Sequence, residues 1–354
     1  MGKGRAFYKL SYFHSVGTEF VWRKEMNVTR RAFLNKGGLS IGGLMATGAM
    51  PLFGNASPKK ADAPNKQAVR FGVVTDIHYS TRAKWSDRYF QDSLTKLCQA
   101  VDVFNGRKLD FIIELGDMKD MGVKPDRLET LGFLDAIEGE FSRFSGPRYH
   151  VLGNHDMDCI SKEDFLSHTE NHGAAKGKSY YSFEMGGVKF VVLDACFNKD
   201  MTPYCCGNFK WTKAFIPEEE LAWFDKELKS ATGKVIVFCH QLLDGFSIQV
   251  GAPQSIFVSN WKKVVAIMEK HGNVIASIQG HHHRGHYSFR NGIHYWTMKG
   301  MITGAYPSNN SYAIIEVSPK GDIAIKGFGD TASMFLGRSA HKGDERDSSH
   351  SVKR

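Results

Sequence analysis

Val69-Arg70-Phe71-Gly72-Val73-Val74-Thr75-Asp76-Ile77-His78 decides how this chain is read. An apolar, β-branched run ends there in a carboxylate and an imidazole two residues apart. Short runs rich in Val, Ile and Phe read as buried strands. Side chains two apart at a strand end project to the same side, so Asp76 and His78 can bind one ion. The pattern recurs four times. Residues 111–115 run into Gly116-Asp117, and residues 149–152 into Gly153-Asn154-His155-Asp156. Residues 235–239 run into His240, and residues 274–278 into Gln279-Gly280-His281-His282-His283. Ligands of open α/β sheets sit just beyond the carboxyl ends of the strands. Five such clusters in one chain therefore point to a catalytic metal site. Mixed imidazole and carboxylate donors suit Mn, Fe or Zn better than Ca or Mg.

Around these runs the chain alternates strand and helix, the pattern of a layered α/β domain. Helices are predicted over 87–104, 126–141, 218–230 and 259–271, the third with Pro217 at its start. Residues 180–184 and 188–194 read as a hairpin around Met185-Gly186-Gly187. After Gly280 the pattern becomes strands only. Residues 286–290 and 293–298 meet at Asn291-Gly292, a strong two-residue hairpin signal. Residues 312–317 and 323–328 meet at Pro319-Lys320-Gly321. Interleaved helices followed by a run of antiparallel strands imply two packed sheets with helices outside. Residues 57–68 read as a polar linker, 69–330 as the catalytic domain and 331–354 as a flexible tail.

A hydrophobic fraction of 42% and an aromatic fraction of 12% suit a globular protein with a sizeable core. The formal charge is +9, but residues 1–56 hold eight Lys/Arg against two Glu, leaving only +3 for the remainder. Without a Lys/Arg stripe, this gives little support to a nucleic-acid surface, and none is expected as a partner. Thr29-Arg30-Arg31-Ala32-Phe33-Leu34 resembles a twin-arginine export signal. The Gly-rich segment 37–53 behind it is too short and glycine-rich for a stable membrane span. Gly54-Asn55-Ala56 places small residues before a mature start at Ser57. Met26 stands just ahead of the signal, so residues 1–25 read as a dispensable extension. The resemblance implies the twin-arginine machinery as a partner and a periplasmic or cell-envelope location. Cys98, Cys159, Cys196, Cys205, Cys206 and Cys239 form no disulfide framework.

The ordered set D-x-H, GD, GNHD, H and GHxH resembles the signature of the calcineurin-like metallophosphoesterases, over about residues 69–329. That resemblance implies a four-layer αββα sandwich of two mixed β-sheets flanked by helices, with two metal ions. One ion would take Asp76, His78, Asp117 and His283, the other Asp117, Asn154, His240 and His281. His155 would face the scissile phosphate and Asp156 would orient its imidazole. Hydrolysis would proceed by metal-bridged hydroxide attacking phosphorus. Asp120, the second acid of Gly116-Asp117-Met118-Lys119-Asp120, reads as a hydrogen-bonding neighbour of the ligands. Lys119 reads as solvated and His282 as a residue pointing away from the metals. His286 and His294 read as sheet residues.

The substrate class stays open among small phosphodiesters, nucleotide diphosphates and phosphomonoesters. Residues 294–302, 312–317 and 325–329 resemble the branch containing manganese-dependent ADP-ribose/CDP-alcohol diphosphatases. The insert 198–211 carries Tyr204, Phe209 and Trp211 and is too long for a simple turn, so its aromatics could wall the cleft or simply pack. A class III cyclic-nucleotide phosphodiesterase is the main enzymatic alternative. A nuclease of this fold would need a basic groove. A non-catalytic scaffold would be expected to lose His155 or a bridging ligand.

Overall fold

The computed structural model describes residues 67–245 and 256–337. The twin-arginine segment, most of the linker and the tail beyond 337 lie outside these residues. Two six-stranded mixed sheets stack face to face. The first has the order β12-β11-β10-β1-β2-β3, built from β1 (Val69–Val74), β2 (Phe111–Glu114), β3 (Arg148–His150), β10 (Tyr312–Val317), β11 (Ile323–Phe328) and β12 (Met334–Leu336). The second has the order β4-β5-β6-β7-β9-β8, built from β4 (Tyr181–Met185), β5 (Val188–Val192), β6 (Lys234–Cys239), β7 (Val274–Gln279), β8 (Arg284–Arg290) and β9 (Ile293–Lys299). Helices α1 (Asp92–Asn105) and α2 (Arg127–Phe141) cover one sheet. Helices α4 (Glu218–Ser230) and α5 (Trp261–His271) cover the other. This is the expected αββα sandwich.

Strand periodicity sorts the core. Ile236 and Phe238 of β6 join the cluster between the sheets, whereas Val235, Val237 and Cys239 of the same strand join the cluster under α4 and α5. Phe71 and Phe111 of the first sheet stack at 4.6 Å, and Phe71 meets Phe190 and Phe238 of the second edge-on at 5.6 and 6.0 Å. Truncating a fully buried ring of this kind typically costs about 3–5 kcal/mol.

The three predicted hairpins are present. Asn291 and Gly292 both take positive φ between β8 and β9, as a type I′ turn requires. Four details differ from the sequence reading. Helix α1 starts five residues late, because Trp85 and Arg88 exchange backbone hydrogen bonds and Arg88 bridges to Thr303. Helix α3 (Lys162–His168) was not predicted, although Ser161 and Asp164 form a capping box at its start. Strand β9 runs parallel to β7, so the strands after Gly280 are not all antiparallel. Residues 331–337 do not form the expected tail: Gly329 turns the chain at φ 58°, and β12 returns along β11 to bury Leu336.

Candidate metal centre

All five ligand-bearing segments follow the carboxyl ends of β1, β2, β3, β6 and β7. Backbone hydrogen bonds tie the segments together. Asp76 N donates to Gly116 O at 3.0 Å, His78 N to Asp117 O at 2.8 Å, and Gly280 N to His240 O at 3.1 Å. Two glycines allow the approach. A Cβ on Gly116 would collide with the His240 ring, and one on Gly153 would fall on the Asp117 carboxylate. Asp76, His78, Asp117 and His281 all take left-handed backbone, with φ of 50, 49, 59 and 67°. Such residues are uncommon outside glycine and mark sites where the surroundings impose strain.

The structure brings Asp76, His78, Asp117, His240, His281 and His283 together in a largely buried cluster, and Asn154 is buried on the loop that contacts Asp117. His78 Nε2 lies 3.1 Å from His283 Nε2, 3.5 Å from Asp117 Oδ2 and 3.8 Å from Asp76 Oδ1. His283 Nε2 is 3.2 Å from Asp76 Oδ1. Across the shared Asp117, His240 Nε2 is 3.1 Å from Oδ2, and Asp117, His240 and His281 converge as a second group. Asn154 Oδ1, His240 Nε2 and His281 Nε2 are buried and have no hydrogen-bond partner. Buried polar atoms are rarely left unpaired. Three such lone pairs beside a shared carboxylate fit a pair of divalent cations. Burial and the neighbouring His240 push the His281 imidazole down to about 3, so it is held neutral, the form that ligates. Burial disfavours ionised Asp117, but the surrounding histidines outweigh it and hold the carboxyl far below its usual range.

Outer contacts orient these donors. His78 Nδ1 lies 3.4 Å from Asp120 Oδ2, and His240 Nδ1 donates to Leu115 O at 2.7 Å. Such partners fix the tautomer that leaves Nε2 for a metal. Asp120 also lies 3.6 Å from His155 Nδ1 and 3.4 Å from Arg82 Nη1, so it links the cluster to its rim.

His155 does not join the ligand groups around Asp117. Its backbone N donates to Asp117 Oδ1 at 2.7 Å, its ring meets His78 edge-on at 4.7 Å, and 29% of the side chain is exposed. The expected role of Asp156 is corrected. Its carboxylate accepts from the backbone amides of Gly153, Asp117, Met118 and Lys119 at 2.8, 3.0, 2.9 and 3.4 Å. It clamps the two ligand loops together and does not touch the His155 ring. The orienting group is Asp158, whose Oδ2 lies 2.8 Å from His155 Nδ1. Burial works against a charged His155, but the Asp158, Asp117 and Asp120 carboxylates outweigh it and hold the imidazole well above the usual range. Lys119 is also corrected: it is buried, and its Nζ donates to His155 O at 2.5 Å. The sequence signal for Asp158 was its place three residues after His155, which the single 3₁₀ turn His155–Met157 brings alongside the ring.

His286 and His294 stay outside the cluster. The first sits 3.9 Å from Asp244, and the second pairs with the Tyr287 hydroxyl at 2.9 Å. Within the insert, Tyr204 is buried against Phe209 at 4.2 Å. Trp211 remains 49% exposed and meets the His281 ring edge-on at 5.8 Å.

Two mixed sheets carrying oxygen and imidazole donors at their shared strand ends describe a metal-dependent hydrolase of phosphate esters or diphosphates. Residues 69–285, more than half of the chain, match the Calcineurin-like phosphoesterase family, and the chain belongs to it. It is 25% identical over 290 residues to a rice protein named manganese-dependent ADP-ribose/CDP-alcohol diphosphatase, covering 70% of this chain and 88% of the relative. A human protein of the same name is 22% identical over 339 residues, covering 78% and 96%. A solved dimetal phosphatase from Danio rerio shares the fold at a TM-score of 0.66 and 20% identity, covering 77% of this chain and 99% of that one.

Proposed function

We propose that the chain hydrolyses the diphosphate bond of a small nucleotide diphosphate, of the ADP-ribose or CDP-alcohol kind, with manganese as its metal. The observation that carries this reading is Trp211, a half-exposed ring set against the ligand His281. It offers a flat apolar face beside the phosphate-binding end of the cleft, where a base can stack. The names of the relatives point the same way.

In this reading Asp76, His78, Asp117 and His283 hold one ion, and Asp117, Asn154, His240 and His281 hold the other. Two bound ions supply Lewis-acid polarisation of the phosphoryl oxygens and a water of lowered pKa. His155 directs Nε2 at the phosphate because Asp158 occupies Nδ1. As an imidazolium it stabilises equatorial charge or protonates the leaving oxygen. Asp156 keeps the Asp117 and Asn154 loops in register through its four backbone amides.

A panel of ADP-ribose, CDP-choline, cyclic AMP, p-nitrophenyl phosphate and bis-p-nitrophenyl phosphate on Mn-loaded protein tests the reading. The highest kcat/KM is expected for the first two. A preference for cyclic AMP would move the assignment to a cyclic-nucleotide phosphodiesterase. We also infer export through the twin-arginine route, supported by Arg30-Arg31 and the Gly-rich segment behind them. Replacing both arginines with lysine should retain full-length protein in the cytoplasm, and unchanged processing near Ser57 would disprove it.

A further inference from the structure

Cys205 and Cys206 are consecutive in the insert, and their sulfur atoms lie 3.1 Å apart. Cys206 is exposed and Cys205 half-buried, whereas Cys159, Cys196 and Cys239 are buried and Cys98 lies on α1. The pair sits in a tight turn closed by Asn208 N donating to Cys205 O at 3.0 Å, with Cys206 and Gly207 at φ 52 and 76°. Left-handed backbone is disfavoured at a non-glycine residue such as Cys206. That turn is docked on the segment that carries the histidine and its orienting acid. Cys206 N donates to Ile160 O at 3.1 Å, Gly207 N donates to Met157 O at 3.0 Å, and Cys205 bridges to Ser161.

From this placement we infer that Cys205 and Cys206 are an oxidisable vicinal dithiol whose closure loosens the 155–161 segment and slows hydrolysis. Adjacent Cα atoms are about 3.8 Å apart across a trans peptide, below the roughly 4.4–6.8 Å that disulfides ordinarily span. Closing the ring therefore requires backbone rotation at both cysteines, and those rotations displace the amides bonded to Ile160 and Met157. A strained, exposed disulfide is also the readily reversible kind. The oxidant is a small-molecule or protein disulfide. The Cys206 thiolate attacks one of its sulfurs, forming a mixed disulfide and expelling a thiolate. The Cys205 thiolate then attacks the Cys206 sulfur and expels the second. One disulfide forms and one is reduced, with the two thiol protons ending on the two released thiolates.

The test treats full-length protein with oxidised glutathione, then maps free thiols by alkylation and mass spectrometry. Residues 205–206 should resist alkylation and lose two hydrogens. Amide exchange over 157–161 and 206–207 should rise. Hydrolysis of bis-p-nitrophenyl phosphate should fall by roughly tenfold, the low end for losing a supporting contact around a metal site. Dithiothreitol should reverse all three. Cys206→Ser should form no disulfide within the pair, Cys205→Ser should stop at a glutathione adduct on Cys206, and neither variant should show the rise in amide exchange. In the unsubstituted protein, a glutathione adduct that persists on Cys206, or two thiols that remain alkylatable, would overturn the proposal. A disulfide that forms without changing amide exchange would overturn its coupling to 155–161. Thiol mapping and amide exchange decide the matter even if no hydrolysis is found.

Discussion

On one side of Asp117, the imidazole of His78 is backed by a carboxylate, Asp120 at 3.4 Å; on the other, His240 is backed by a backbone carbonyl, Leu115 O at 2.7 Å. The first half adds the carboxylate of Asp76, the second the neutral amide of Asn154. A carboxylate behind an imidazole makes it a more basic ligand and adds local negative charge. The first half should therefore hold its cation more tightly. Through Asp120, that half is also connected to Arg82 and His155, the histidine proposed to face the phosphate.

The strongest way to break this comparison is Asp117→Asn, which removes the oxygen that both halves share. Metal content should drop at both positions, and turnover should fall by at least roughly 10⁴-fold, equivalent to about 5.5 kcal/mol of lost transition-state stabilisation. Elemental analysis that still finds two equivalents would show that Asp117 bridges nothing. Next in size is His155→Ala, expected to keep both metals and cost roughly 10²–10⁴-fold in turnover. The loss should be larger for an alkyl leaving group than for p-nitrophenolate, which needs no proton. Parallel loss of metal would instead make His155 a ligand.

Asp120→Asn and Asn154→Ala sharpen the contrast between halves. Each should weaken one of two Mn-binding steps, Asp120→Asn by roughly 10–100-fold at the tighter one. Isothermal titration resolving two steps checks this, and equal weakening of both by either variant would count against separate halves. The smallest effect belongs to Asp158→Asn. In the proposed mechanism the active form of His155 carries a proton, and Asp158 favours that form. Removing the charge should move the basic limb of the pH–kcat profile to lower pH and leave the acidic limb in place. Bound cations lower the His155 pKa with or without Asp158, so the sign holds. An unmoved basic limb would assign the proton donor elsewhere.

Ligand residues were readable because each lies within four residues of the carboxyl end of an apolar strand, and the strand end fixes where the segment goes. His240 after residues 235–239 needs no tertiary information to be suspected. Asp158 and Lys119 were not readable, because their roles depend on which atoms the fold brings alongside. A carboxylate three residues after His155 looks like any turn acid until the 3₁₀ turn pairs the two. Asp156 illustrates the converse. Its place in the GNHD motif suggests a side-chain partner, yet four backbone amides from two loops claim both its oxygens. The parallel pairing of β7 and β9 was hidden for a similar reason. The β8–β9 hairpin is a local signal, whereas which of its strands docks on β7 is a long-range choice.

The left-handed backbone at Asp76, His78, Asp117 and His281 constrains what selection can do with this centre. Outside glycine, that conformation is tolerated best by Asn, Asp and His. Those are also the residues that donate oxygen or imidazole nitrogen to a metal. Coordination chemistry and chain geometry therefore accept the same narrow alphabet at these positions, and a drift to Val, Ile or Thr is penalised twice. Changes of substrate preference are steered away from the metal shell and toward side chains outside it that carry no such double constraint, such as Trp211 at the end of the aromatic insert.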